Sequence, residues 1–113
     1  MGWNLFIDDE RWPMDATWAD WCRDNRIYFV TRTIAETVEY IDNFGFPQFI
    51  SFDHDLAGDE RAIDIVKLII EKDLDGIWEI PEGFKFAVHS KNPIGAENIS
   101  VTFNNYLEFK SNV

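Results

Sequence analysis

The sequence predicts an α/β fold, a parallel sheet of about four strands with helices on both faces. Short apolar segments alternate with segments of helical periodicity in the order β-α-β-α-β-α-β-α. The connections between them are short, and right-handed crossovers make strands in this order parallel. Three of the four strand segments also end in ionisable residues, which is typical of the functional edge of a parallel sheet.

Size and composition bound the class of protein. With 113 residues, of which 46% are apolar and 16% aromatic, the chain can build one core, so we expect a single domain over residues 1–113. No apolar run reaches the roughly 18 residues that a membrane span needs. The residues after Met1 show neither the basic flank nor the cleavage signal of a secretory leader. We therefore expect a cytoplasmic protein with no membrane partner.

The charge balance argues against one class of ligand and leaves others open. A formal charge of -11 argues against binding duplex nucleic acid, because that contact needs Lys and Arg to displace phosphate counterions. The acidity fits a solubilising surface, a carboxylate metal site, or a protein partner surface that imitates DNA. The single cysteine, Cys22, excludes a disulfide or a cysteine metal cluster within the chain, and its helical spacing with Trp18 favours a packed thiol.

The first half of the chain supplies two strands and two helices. The strand segments are residues 3–7 and 27–30. Asp15 is a capping residue for the first helix, and Thr33 with Glu36 has the capping-box spacing that predicts the second. The apolar faces of these two helices are formed by Trp18, Trp21 and Cys22 and by Ile34, Val38 and Ile41.

The second half repeats the alternation. A strand at 49–52, a helix at 62–72 and a strand at 84–88 precede the last helix. Asn92 is the capping acceptor of that helix, and Pro93 occupies its first position, where a missing amide costs nothing. The residues expected to reach the core from the last helix and from the long connection before the fourth strand are Ile99, Phe103, Tyr106, Leu107, Trp78 and Ile80.

Acidic residues end the first and third strands. Asp8 and Asp9 follow the first strand, and Asp53 follows the third. A lone aspartate at such a place most often caps a turn. Two acidic strand ends side by side repel each other unless a cation or a proton separates them. The three carboxylates therefore predict a site for Mg²⁺ or another divalent cation.

Both histidines of the chain also follow strands at this edge. His54 comes directly after Asp53, and His89 ends the fourth strand. A hydrogen-bonded, partly buried imidazole is the ordinary fate of a single histidine. Two at one cleft favour proton transfer or metal ligation, because an imidazole titrates near neutrality.

Phosphate-binding groups accompany the acidic residues. Arg11 has a planar fork that suits phosphate oxygens, and Ser90 and Lys91 follow His89. The helix that begins at Asn92 offers backbone amides to an anion. Taken alone, Arg11 and Lys91 are each more simply interpreted as solvated charges. Together they predict a site for a phosphate-containing small molecule or an RNA end.

Four motifs resemble the cyclic-phosphate processing receiver-like domain family, a divergent branch of the response-regulator receivers. They are Leu5-Phe-Ile-Asp-Asp-Glu-Arg11 with Pro13, Arg32-Thr33, Ile50-Ser-Phe-Asp-His-Asp-Leu56, and Val88-His-Ser-Lys-Asn-Pro93 with Gly95 and Asn98. The resemblance runs nearly end to end. It implies a three-layer, flavodoxin-like receiver sheet and action on cyclic phosphates or related phosphoesters.

The resemblance also implies roles for individual residues. Asp8 and Asp9 match the acidic pair that holds Mg²⁺ in receivers, Asp53 matches the phosphoacceptor position, and Ser90 matches the hydroxyl residue after the fourth strand. The positions peculiar to the family, and hence the implied catalytic set, are His54, Asp55 and His89. The chain departs from ordinary receivers in that no fifth strand with a terminal lysine is visible.

Three functions follow from these observations and stay open at this point. The first is a metal-assisted phosphoesterase in which the histidines move protons. The second is a receiver-like signalling module that binds a phosphorylated or cyclic-nucleotide ligand without turnover. The third is an acidic partner-binding protein, such as a DNA mimic, whose important carboxylates lie on the surface away from the strand ends.

Overall fold

The computed structural model describes residues 2–19, 21, 27–54, 56 and 60–112. Its four strands are β1 (Asn4–Ile7), β2 (Tyr28–Thr31), β3 (Phe49–Phe52) and β4 (Lys85–Val88). Its three α-helices are α1 (Ile34–Phe44), α2 (Ala62–Leu74) and α3 (Pro93–Ser111). All strand pairs are parallel, and the order across the sheet is β2-β1-β3-β4. The predicted parallel α/β sheet is confirmed.

Local sequence signals set the starts of two helices. The Thr33 hydroxyl accepts the amide of Glu36 at 3.1 Å at the start of α1, and the Glu36 carboxylate accepts the amide of Arg32 at 2.7 Å. At the start of α3, the Asn92 side chain accepts the amide of Gly95 at 3.0 Å. These bonds satisfy amides that the first helical turn leaves without partners.

The segment after β1 differs from the prediction. Instead of a helix capped by Asp15, residues Pro13–Asp15 form a single 3-10 turn, and the Asp15 carboxylate accepts the amide of Trp12 at 2.9 Å. The amide of Ala19 bonds to the carbonyl of Ala16, which continues the three-residue spacing. The indoles that suggested a helix face are instead hydrogen-bonded to residues at the carboxyl edge of the sheet and within β3. Cys22, the last residue of the predicted face, lies outside the described residues.

The two faces of the sheet have different covers. One face of the sheet packs against the three α-helices and forms the main hydrophobic core. The buried strand residues in this core are Leu5, Ile7, Ile50 and Phe52. Trp78 and Ile80 are buried in this core, as the sequence predicts. The opposite face carries Phe6, which packs with Ala16, Ala19 and Trp21 from the segment after β1. Within the described residues, no helix has the length and apolar character to cross a membrane.

Candidate active site

Strand register brings three ionisable residues to one edge of the sheet. Ile7 pairs with Phe52, and the amide of Asp53 continues this ladder by bonding to the carbonyl of Ile7 at 2.9 Å. The amide of His89 bonds in turn to the carbonyl of Phe52 at 2.9 Å. Asp8, Asp53 and His89 are therefore the first residues beyond three adjacent strands. Because side chains alternate along a strand, all three project to the face opposite the three helices.

These three side chains form a compact and buried cluster. One ligand atom from each lies within 4.8 Å of the others. Asp8 and His89 are fully buried, and Asp53 is 5% exposed. Two carboxylates and an imidazole suit a divalent cation, with oxygen ligands favouring Mg²⁺ and the nitrogen favouring a transition metal. Of the predicted metal set, the structure brings Asp8 and Asp53 together, while the half-buried Asp9 lies outside the cluster.

His89 is held on every side of its ring. Its Nε2 lies 3.0 Å from Oδ2 of Asp8, and its Nδ1 lies 2.7 Å from Oγ of Ser51. The imidazole stacks on the Phe6 ring with centroids 4.2 Å apart and planes 6° from parallel. The indole of Trp18 donates to the carbonyl oxygen of His89. These contacts fix the imidazole so that one nitrogen faces the Asp8 carboxylate.

The two carboxylates differ in their electrostatic surroundings. Burial raises the pKa of Asp8, but hydrogen bonds from His89 and from the amides of Glu10 and Arg11 outweigh it and lower the pKa to about 2. Burial and the neighbouring Asp8 charge raise the pKa of Asp53. Asp8 is thus a stable anion at neutral pH, and a cation beside Asp53 would relieve the repulsion between the two.

Among the described residues, Arg11 places a guanidinium beside both carboxylates. Its Nε lies 3.7 Å from Oδ2 of Asp8, and its Nη2 lies 4.0 Å from Oδ1 of Asp53. Its Nη1 is buried and has no hydrogen-bond partner among the described residues. A buried guanidinium N–H normally has an acceptor. Among the described residues, this donor therefore lacks the acceptor that a buried N–H usually has.

The other predicted substrate-binding residues lie in the turn after β4. The Ser90 hydroxyl accepts the amide of Asn92 at 3.0 Å, and Asn92 itself caps α3. Lys91 is exposed, and its Nζ lies 4.4 Å from the centre of the Trp18 ring. Ser90 and Asn92 therefore shape this turn, and Lys91 lies over the indole that also contacts Arg11.

His54 lies on the other side of the strand from Asp53. Its half-buried imidazole packs against Gly95 in the first turn of α3. A Cβ atom at position 95 would lie 2.2 Å from Cδ2 of His54, so glycine is required there for the ring to fit. Only His89 of the two histidines is in the buried cluster. Asp55, the third predicted catalytic residue, lies outside the described residues.

Two residues that support the site, Ser51 and Arg32, lie within the family motifs, but the sequence alone assigns them no role. Ser51 lies within β3 and contacts both His89 and the indole of Trp21, which donates to its hydroxyl at 2.9 Å. Arg32 donates through Nη1 to the carbonyls of Asp8 at 2.9 Å and Arg11 at 2.6 Å. A serine between apolar residues of a buried strand is the one signal that could have identified Ser51 from the sequence, because burying a hydroxyl requires a partner.

The parallel sheet and the carboxylates at its carboxyl edge define the protein as a receiver-like α/β domain. The family model described as the cyclic-phosphate processing receiver domain matches residues 3–105. The chain therefore belongs to that family. No curated protein and no solved structure matches it.

Proposed function

We propose that this domain is a metal-assisted phosphoesterase that acts on a cyclic phosphate or a related phosphoester. The observation that carries the proposal is the arrangement of Asp8, Asp53 and His89 within 4.8 Å, beside a buried Arg11 N–H that lacks a partner among the described residues. Clustered carboxylates favour a cation, and the guanidinium needs an acceptor. A phosphoryl group bound next to a divalent cation satisfies both requirements.

The carboxylates would hold Mg²⁺ or another divalent cation. When bound, such a cation polarises a phosphoryl oxygen and lowers the pKa of a water molecule. Asp8 is ionised at neutral pH and its orientation is fixed by His89 and by two backbone amides. His89 therefore acts on the site through Asp8, as a positioning residue.

The remaining residues bind the phosphoester and move the proton. Arg11 and Lys91 neutralise the non-bridging oxygens, and the Ser90 hydroxyl can donate to one of them. The oxygen of water forms a bond to phosphorus, one ester P–O bond breaks, and the proton of the water ends on the leaving alkoxide. We assign that proton transfer to His54 and Asp55 after β3, a role that requires the His54 imidazole to leave its contact with Gly95 and turn toward Asp53.

A hydrolysis assay tests this proposal. Wild-type protein is incubated with 2′,3′-cyclic nucleotides in the presence of Mg²⁺ or Mn²⁺, and the opened phosphomonoester is quantified. We expect product with the wild type, and a loss of at least about 100-fold in Asp53→Asn and His54→Ala, the range typical of acid-base and metal-holding groups. The matched control is Asp75→Asn, an exposed carboxylate after α2. Equal turnover by all four proteins contradicts the assigned roles.

A second candidate is a binding module that uses the same pocket without turnover. The observation in its favour is the burial of the imidazole of His89, which is enclosed by Asp8, Ser51 and Phe6 and therefore has little access to a substrate. Binding of a cyclic nucleotide with no product supports this candidate. So does labelling by an acyl phosphate that disappears in Asp53→Asn.

A further inference from the structure

Three cations pair with two indoles around the candidate active site. The guanidinium of Arg32 lies 4.6 Å from the ring centre of Trp12. The guanidinium of Arg11 and the ammonium of Lys91 lie 5.0 Å and 4.4 Å from that of Trp18. The chain has only 10 Lys and Arg residues against 21 Asp and Glu residues. The meeting of three cations at one edge of so acidic a protein favours an anionic ligand there.

Trp12 is unusually exposed for a residue of its size. It is 56% exposed, although Arg32 covers part of its ring. Arg32 is itself fixed by the carbonyls of Asp8 and Arg11. The indole is therefore anchored, through one guanidinium, to the loop that carries Asp8, and it keeps an open surface beside the site.

Trp18 has a different role. It is 39% exposed, its indole N–H bonds to the carbonyl of His89, and its ring contacts both Arg11 and Lys91. These contacts use the ring to hold two cations near the carboxylates. Among the described residues Trp12 contacts one cation, Arg32, and it is the more exposed of the two indoles, so it offers more surface to a ligand.

We propose that Trp12 is a stacking platform for the base of a nucleotide whose phosphate binds at Arg11. That the phosphate binds at Arg11 rests on the proposed function, whereas the stacking of the base rests on the geometry of Trp12. A nucleotide combines a planar π system with an adjacent anion, which matches an exposed indole next in sequence to a guanidinium N–H that has no partner among the described residues. Stacking accepts any base, because every base has a π face.

Calorimetric binding to two cyclic phosphates tests the inference. The ligands are adenosine 2′,3′-cyclic phosphate and glycerol 1,2-cyclic phosphate, which lacks a base. The proteins are wild type, Trp12→Ala, Trp12→Phe and Phe44→Ala, all with the same divalent cation. Phe44 is the matched control because it is an exposed aromatic residue, 64% exposed, at the end of α1 and remote from the carboxyl edge of the sheet.

We expect the wild type to prefer the nucleotide, and Trp12→Ala to weaken nucleotide binding by about 5- to 100-fold, as loss of one stacked base does. Binding of the base-free ligand stays unchanged, Trp12→Phe keeps most of the preference, and Phe44→Ala matches the wild type. If the wild type binds both ligands equally and Trp12→Ala changes neither, the stacking platform is wrong while the phosphoester proposal stands. If neither ligand binds, both proposals are wrong.

A further arm distinguishes two sources of the nucleotide. An oligoribonucleotide that ends in a 2′,3′-cyclic phosphate is compared with the mononucleotide on the same four proteins. Tighter binding of the oligonucleotide, with the same loss in Trp12→Ala, supports an RNA end stacked on Trp12. Equal binding supports the free mononucleotide. Loss of oligonucleotide binding in Phe44→Ala to the same extent as in Trp12→Ala overturns the assignment to Trp12.

Discussion

Nε2 of His89 lies 3.0 Å from Oδ2 of Asp8, although 81 residues separate them in the chain. The strands that end at these residues are not neighbours, because β3 lies between β1 and β4. The imidazole crosses this gap by stacking on Phe6 of β1 and by bonding to Ser51 of β3. One side chain thus connects three strands at the edge where the proposed chemistry takes place.

His89 is predicted to contribute more to stability than His54. His89→Ala removes a hydrogen bond to an ionised carboxylate, leaves Ser51 with one partner fewer and opens a cavity beneath Phe6, so we expect a loss of about 3 kcal/mol or more. His54→Ala, the matched control, removes a half-buried ring and costs less. Urea unfolding at pH 7 measures both. Equal losses contradict the central position assigned to His89.

The acid stability of the protein is predicted to depend on Asp8. Its pKa is about 2 in the folded protein against an ordinary value of 3.8 for an aspartate carboxyl. A lowered pKa contributes stability above the unfolded value, and this contribution is lost as the pH falls from about 5 toward 2. The contribution of Asp8 ionisation to the free energy of unfolding is roughly 2 kcal/mol. The difference in unfolding free energy between wild type and Asp8→Asn, measured from pH 2 to 7, should shrink by about that amount at low pH. A constant difference contradicts the prediction.

Asp53→Asn is predicted to raise stability in the absence of divalent cations. Burial and the Asp8 charge raise the pKa of Asp53, so folding disfavours its ionised form relative to the unfolded chain, and an uncharged amide avoids this cost. With a cation at about 100 times its dissociation constant, the wild type should gain about 2.7 kcal/mol and the variant less. Melting temperatures with chelator and with Mg²⁺ or Mn²⁺ test both statements. If Asp53→Asn melts at a lower temperature than the wild type in chelator, the predicted gain in stability without a cation is contradicted.

Gly95 and His54 are predicted to be strongly coupled. Gly95→Ala places a methyl group 2.2 Å from Cδ2 of His54, so we expect a loss of about 1 to 3 kcal/mol from overpacking. In a His54→Ala background the clash is absent, and alanine should then stabilise α3 by up to about 1 kcal/mol because it is the better helix former. A double-mutant cycle by urea unfolding measures the coupling. If Gly95→Ala changes the free energy of unfolding with the same sign in both backgrounds, the close packing of Gly95 and His54 is refuted.

The order of elements could be predicted from the sequence because its determinants are local. Thr33 with Glu36 and Asn92 with Pro93 carry their capping signals within four residues, and each predicted strand falls within one residue of the observed one. The segment after β1 could not be predicted in this way. Its indoles bond to partners in β3 and beyond β4, and these tertiary contacts decide its backbone.

The site was predicted in outline, since strand ends carry Asp8, Asp53 and His89. Its exact membership depends on register, which a single sequence does not contain. Adjacent residues of an extended strand point to opposite faces. Asp8 shares the face of Asp53 and His89, while Asp9 stays outside that buried cluster and His54 packs against α3.

A crystal structure with Mn²⁺ and tungstate, a phosphate analogue, tests whether the strand-end cluster binds a divalent cation and a phosphoryl group together. Mn²⁺ is located by its anomalous scattering. We expect a Mn²⁺ peak within bonding distance of Asp8 and Asp53 and a tungstate oxygen hydrogen-bonded to Nη1 of Arg11. Mn²⁺ bound elsewhere, or tungstate that contacts neither Arg11 nor the metal at saturating concentrations, would contradict it.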